Sequence, residues 1–111
     1  RSQSGHLLDI DQYLVEHYRS SLSIKQVAAQ FYMNPVYLGK TYQDKFGRGM
    51  LDRIHDLRIE EAQRLLRMTE LTTKEVAETV GYSHYHYFVK QFEKRAGRKP
   101  NDYRASAGRG E

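Results

Sequence analysis

Cysteine is absent from the 111 residues, which excludes disulfides and thiolate metal sites and makes a reducing cytoplasm the simplest compartment. Proline occurs only twice, no valine-rich alternating run is present, and apolar residues recur at spacings of three and four, so the expected fold is all-α. No apolar stretch approaches the ~20 residues of a membrane helix, and nothing resembles a signal peptide; no membrane partner is expected. A chain of this length with 39% apolar content fits one compact domain or two very small subdomains, without room for a large enzyme cleft.

Lys and Arg outnumber Asp and Glu by 18 to 14, giving a net charge of +4 and a pI near 9.4, a balance that favours a polyanionic partner. The excess is uneven: residues 1–70 carry ten basic and nine acidic side chains, residues 71–111 eight and five. The chain opens on Arg1, and both ends are small and polar. They are expected to be flexible tails, over 1–6 and 105–111, of a piece cut from a longer protein.

The chain repeats itself. Leu22-Ser23-Ile24-Lys25-Gln26-Val27-Ala28 matches Leu71-Thr72-Thr73-Lys74-Glu75-Val76-Ala77 at an offset of 49, and Tyr37-Leu38-Gly39-Lys40-Thr41-Tyr42 matches Tyr87-Phe88-Val89-Lys90-Gln91-Phe92 at 50. One residue is therefore inserted between the paired helices of the second copy. Ser23 with Gln26, and Thr72 with Glu75, have the spacing of a capping box, with Leu22–Val27 and Leu71–Val76 placed as hydrophobic staples. After a turn of about three residues, Asn34 and Ser83 are the expected N-caps of the second helices, with Pro35 at the first helical position. Gly81 suits a left-handed residue after the first helix, whereas its counterpart Tyr32 would bear strain there; Gly47 and Gly97 suit the same role after the second helices. These signals predict seven helices, over 7–19, 24–31, 35–46, 50–68, 73–80, 84–96 and a short turn from Pro100. They form two helix-turn-helix subdomains (7–49 and 69–104) joined by a long linker helix over 50–68.

In the helix from Pro35, Leu38, Tyr42 and Phe46 face inward, leaving Val36, Gly39, Lys40 and Gln43 as an outward stripe. In the second copy Phe88 and Phe92 turn inward and leave Tyr85, His86, Val89 and Lys90 outward. Tyr37 and His84 complete the set of candidate contacts. A major groove admits one α-helix, whose N-terminal residues approach base edges while lysines and helix-start amides hold phosphates. The linker of ~19 residues would span about 28 Å, comparable to the ~34 Å between successive major-groove segments on one face. Its Ile54, Leu57, Ala62, Leu65 and Leu66 should face inward, and Asp52, Asp56, Glu60 and Glu61 should form its solvated back.

These features resemble the AraC family of bacterial transcription regulators over residues 7–104. The strings that carry the resemblance are Leu57-Arg58-Ile59-Glu60-Glu61-Ala62 with Leu65-Leu66, Val76-Ala77-Glu78-Thr79-Val80-Gly81-Tyr82-Ser83, Tyr87-Phe88-Val89-Lys90-Gln91-Phe92-Glu93-Lys94, and Gly97-Arg98-Lys99-Pro100-Asn101-Asp102-Tyr103-Arg104. The resemblance implies sequence-specific binding of double-stranded DNA. The family's base-reading places fall on Val36, Gly39 and Lys40, and on Tyr85, His86, Val89 and Lys90. RNA polymerase is open as a further partner, and because the fragment carries both recognition helices it is expected to bind as a monomer, with the full-length protein open to dimerisation. Gly39 stands where many members carry a longer polar side chain, Lys40 and Lys90 replace an often-seen Arg and so lack its bidentate fork, and Lys99 stands where Ser or Thr usually caps. The segment from Tyr82 to Phe88 is most similar to AraC-type response-regulator output domains, which implies a receiver upstream.

Other readings weigh less. Tyr13, Tyr18, Tyr42 and Tyr103 are expected in the core, and Tyr85 at the surface for function. His84 and His86, two apart on a helix, point in different directions and do not suit a metal. Gly47-Arg48-Gly49 lacks the strand and acidic residue of a dinucleotide site. No catalytic constellation and no cofactor are expected. A helical protein-interaction module is the competing class, separable by indifference to duplex DNA; RNA is disfavoured because the A-form major groove is too narrow for a helix.

Overall fold

The computed structural model describes residues 3–107. Among these residues seven helices follow in order: α1 (Gln3–His17), α2 (Ile24–Gln30), α3 (Pro35–Phe46), α4 (Met50–Met68), α5 (Thr73–Val80), α6 (Tyr85–Ala96) and α7 (Pro100–Ala107). No strand occurs among the described residues. The chain divides into two compact units after His55, inside α4, rather than at the ends of that helix.

The first unit is built around Leu7, Ile10 and Leu14 of α1, Val27 and Ala28 of α2, Leu38 and Tyr42 of α3, and Met50 and Ile54 of α4, all of them buried. Positions 7, 10 and 14 share one face of a helix, so α1 needs no further signal to lie on α3. A polar knot ties the unit together: Arg53 Nε and Nη2 donate to the two carboxylate oxygens of Asp11 at 3.0 and 3.2 Å, and the Tyr42 hydroxyl donates to Asp11 Oδ1. Burial alone would raise the Asp11 carboxyl. The hydrogen bonds from Arg53 and Tyr42, with the Arg53 charge, outweigh burial and hold it below the usual carboxylate value. The Tyr42 phenol is pushed up, first by burial and then by Asp11.

The second unit packs Ile59, Ala62, Leu65 and Leu66 of α4 against Val76, Ala77 and Val80 of α5, Phe88 and Phe92 of α6, and Tyr82 from the turn. Arg58 lies over the Tyr82 ring, 5.2 Å from its centroid. Burial raises the Tyr82 phenol to about 12 although the Arg58 charge pulls the other way. Arg104 donates to the carbonyls of Leu66 and Thr69 at 3.1 and 3.2 Å, satisfying acceptors that the end of α4 cannot bond internally. Arg67 meets the Tyr103 hydroxyl at 2.6 Å.

The local signals act where they stand. Both capping boxes form, Ser23 and Thr72 each accepting from the amide three residues on, and Gly47, Gly81 and Gly97 are left-handed at φ 77°, 115° and 85°. Both turns close with the same bond, Met33 N to Ala28 O at 2.8 Å and Tyr82 N to Ala77 O at 2.9 Å. This is the six-to-one bond of a Schellman motif. Tyr32 accordingly has φ 56°, the one positive φ of a non-glycine among the described residues, at a cost of roughly 1–2 kcal/mol.

Several expectations are corrected. Helix α1 starts at Gln3 within the anticipated tail and stops at His17 rather than 19, because Ser20 bonds the His17 carbonyl through both its amide and its hydroxyl. Ser83 is not a cap: α6 starts one residue later, behind His84, whose side chain makes no capping bond. The residue inserted into the second copy is absorbed at this point. The short turn from Pro100 is an eight-residue helix, fastened through Tyr103 and Arg104, so Ala105 to Ala107 are helical; residues 108–111 and 1–2 lie outside those described. The acidic back of α4 is only partly solvated, since Asp56 pairs with Arg95 at 3.2 Å and Glu61 with Arg64 at 2.7 Å. On the inward face Ile59 is buried whereas Leu57 is only half-buried.

Candidate nucleic-acid interface

In the first unit α3 is started by Asn34, whose Oδ1 accepts from the amides of Val36 and Tyr37 at 2.8 and 3.0 Å, while Pro35 has no amide to satisfy. The two amides expected to hold phosphate are thus already occupied. What α3 offers is side chains: Val36 is 81% and Tyr37 46% exposed, and Lys40 and Gln43 are exposed. A Cβ built on Gly39 would meet nothing within 4 Å, so glycine is not forced there by packing. It leaves a shallow place in the stripe where another surface can approach the backbone. Lys40 pairs with Asp44 at 3.5 Å, both side chains being mostly in solvent at 76% and 68%. Such a pair adds little stability and is readily exchanged for a stronger anion.

In the second unit the expected stripe of α6 splits. His84, His86 and Lys90 are exposed. Tyr85 and Val89 are instead half-buried against the core of Phe88 and its neighbours, and the Tyr85 hydroxyl bonds Thr73 Oγ1 at 2.9 Å. Tyr85 thus joins the starts of α5 and α6 and keeps only part of its ring at the surface where it was expected. Tyr87, which occupies the place of Tyr37 in the repeat, is equally exposed at 46%; aligning the copies would have found it. The same alignment pairs Lys25 with Lys74, both exposed at the second position of α2 and of α5.

Among the described residues no group of three or more His, Asp or Glu side chains converges as a metal site, and no helix is long and apolar enough to cross a membrane. Each unit comprises a short capped helix, a tight turn and a second helix whose first turns carry exposed polar and aromatic side chains. This arrangement defines a double helix-turn-helix domain.

A helix-turn-helix domain family matches residues 27–106. The chain is similar to an uncharacterized HTH-type transcriptional regulator of Escherichia coli, YijO, with 36% identity over 95 residues, covering 86% of this chain and 34% of that protein. Among solved structures it is similar to the C-terminal domain of AraT, a response regulator from Geobacillus stearothermophilus, with 35% identity, a TM-score of 0.88 and coverage of 90% of this chain and 84% of that one. It is also similar to the DNA-binding domain of the transcriptional factor AdpA, solved in complex with a target DNA, at 25% identity and a TM-score of 0.84 over 90% of each chain. The chain belongs to the AraC-type helix-turn-helix DNA-binding domains. It spans about a third of the length of the curated relatives it matches.

Proposed function

We propose that this domain binds double-stranded DNA sequence-specifically by placing α3 and α6 in successive major-groove segments, and that the longer protein regulates bacterial transcription through it. The observation that carries the reading is the repeat of one exposed pattern at the start of both second helices, Val36, Tyr37 and Lys40 on α3 and His86, Tyr87 and Lys90 on α6, with Gly39 half-buried between them and Gln43 and the cap residue His84 exposed beside them. Histidine and lysine near a helix start suit base edges and the adjoining phosphates. Lys25 and Lys74 suit the phosphates flanking each groove. Tyr85 and Val89 hold α6 in place and touch DNA at most along their exposed edges.

The role is binding rather than catalysis, and the protein works in the cytoplasm, where its DNA is. RNA polymerase at a neighbouring promoter is the partner that transcription control requires. The domain carries both readers and binds as a monomer, so any dimerisation of the longer protein falls to the part outside these residues, as does reception of the signal. A receiver there would place the protein with the response regulators, the class to which AraT belongs.

The test is selection from a random duplex library, followed by affinity measurements over a range of salt. A selected sequence that binds far more tightly than random duplex, with an affinity falling steeply with salt, supports the reading. Equal affinity for both ends it.

A further inference from the structure

The two turns close with the same hydrogen bond, yet one spends a glycine on its left-handed residue and the other a tyrosine. Gly81 sits there at no steric cost, whereas Tyr32 holds φ 56° and its side chain is 96% exposed. Among the described residues this side chain takes part in no hydrogen bond, ion pair or ring contact. The turn-closing bond of Met33 N to Ala28 O holds the backbone there, but the side chain itself adds nothing inside the fold that glycine would lack. A tyrosine kept where a glycine would hold the same turn without strain points to a role for its side chain outside the molecule. Tyr32 precedes the N-cap of α3 by two residues, and Val36, the second residue of that helix, is 81% exposed.

We propose that Tyr32 is a DNA-backbone contact: its phenol donates to a phosphate oxygen and its ring lies on the adjoining deoxyribose at the edge of the groove that α3 occupies. This rests on the functional reading given above. Position favours the backbone over the bases, because the residue lies outside the helix whose first turns enter the groove. Chemistry agrees, since a tyrosine offers one hydroxyl donor at the tip of an apolar ring. Backbone contacts of this kind set register and affinity without carrying sequence information. The ring also commits little conformational entropy, having few torsions to fix.

The strain makes the test specific, because stability and binding should move in opposite directions. Tyr32→Gly is expected to raise the Tm by about 4 °C and to weaken binding to the selected and the random duplex alike, by about threefold to tenfold. The salt slope should stay as in wild type, since no cation is removed. Tyr32→Phe keeps ring and strain and should lose most of the same affinity. If Tyr32→Gly binds as tightly as wild type or more so, the contact is overturned; if Tyr32→Phe matches wild type, the phosphate bond is overturned. Should the unaltered domain itself ignore duplex DNA, the functional reading fails first, and that result is separate from either variant's.

Discussion

The hydroxyl of Tyr85 and that of Thr73 lie 2.9 Å apart, linking the first residue of α6 to the first residue of α5. The bond fixes the angle at which the second unit presents His86 and Lys90. Tyr85→Phe removes one hydrogen bond and keeps the packing, so thermal unfolding should show a loss of about 0.5–1.5 kcal/mol, while base preference in the half-site read by α6 stays as it was. Altered preference without a change in stability would return Tyr85 to the reading surface.

The knot of Asp11, Arg53 and Tyr42 should make the first unit acid-sensitive. The folded Asp11 carboxyl titrates below its ordinary value of 3.8, so its stabilisation is complete above that pH and is lost as acid carries the solution down through the lower folded value. Asp11→Asn should cost about 1–3 kcal/mol at neutral pH, where it leaves Arg53 and Tyr42 without the carboxylate. The gap between variant and wild type should close below pH 3.8, as urea melts at several pH values would record.

Arg104 bonds the carbonyls of Leu66, in the last turn of α4, and of Thr69, just past its end. Truncating it to Ala should destabilise the second unit by roughly 1.5–3 kcal/mol, the range for hydrogen bonds to a charged group. Amide exchange should then speed up in α5, α6 and α7 and remain slow in α1 to α3. Uniform acceleration over the whole chain would contradict the division at His55.

Lys40 and Lys90 occupy equivalent places in the repeat, but among the described residues only Lys40 has a carboxylate beside it, Asp44 at 3.5 Å. Lys40→Gln and Lys90→Gln should each reduce the salt slope of DNA binding by about one if the lysine meets a phosphate. Asp44→Asn should do the reverse, tightening binding by about two- to fivefold at low salt, since it removes a negative charge near the phosphates. Filter binding or fluorescence anisotropy across a salt series distinguishes these outcomes, and an unchanged slope in both lysine variants would remove them from the interface.

Much of the architecture was legible locally. Ser23 with Gln26 and Thr72 with Glu75 announce α2 and α5, Asn34-Pro35 announces α3, and Gly47, Gly81 and Gly97 mark where helices stop, because each acts through bonds to its own neighbours or through its own φ. The strained Tyr32 was legible too, by comparison with Gly81. His84 was less so: the residue inserted into the second copy shifts the start of α6, and a strong cap former at Ser83 pointed one place too early.

What the sequence determined by itself, then, is the set of helices and the doubling of the unit, since capping, periodicity and left-handed glycines are decided within a few residues. Tertiary structure alone decided how deeply the residues at the edge of a stripe are buried and which charges pair. Tyr85 turned inward because Thr73 and Phe88 were there to receive it. Asp11 found Arg53 across 42 positions of chain, and Asp56 left the solvated face for Arg95. Those choices depend on partners far apart along the chain, and no local spacing encodes a contact that exists only once the helices have packed.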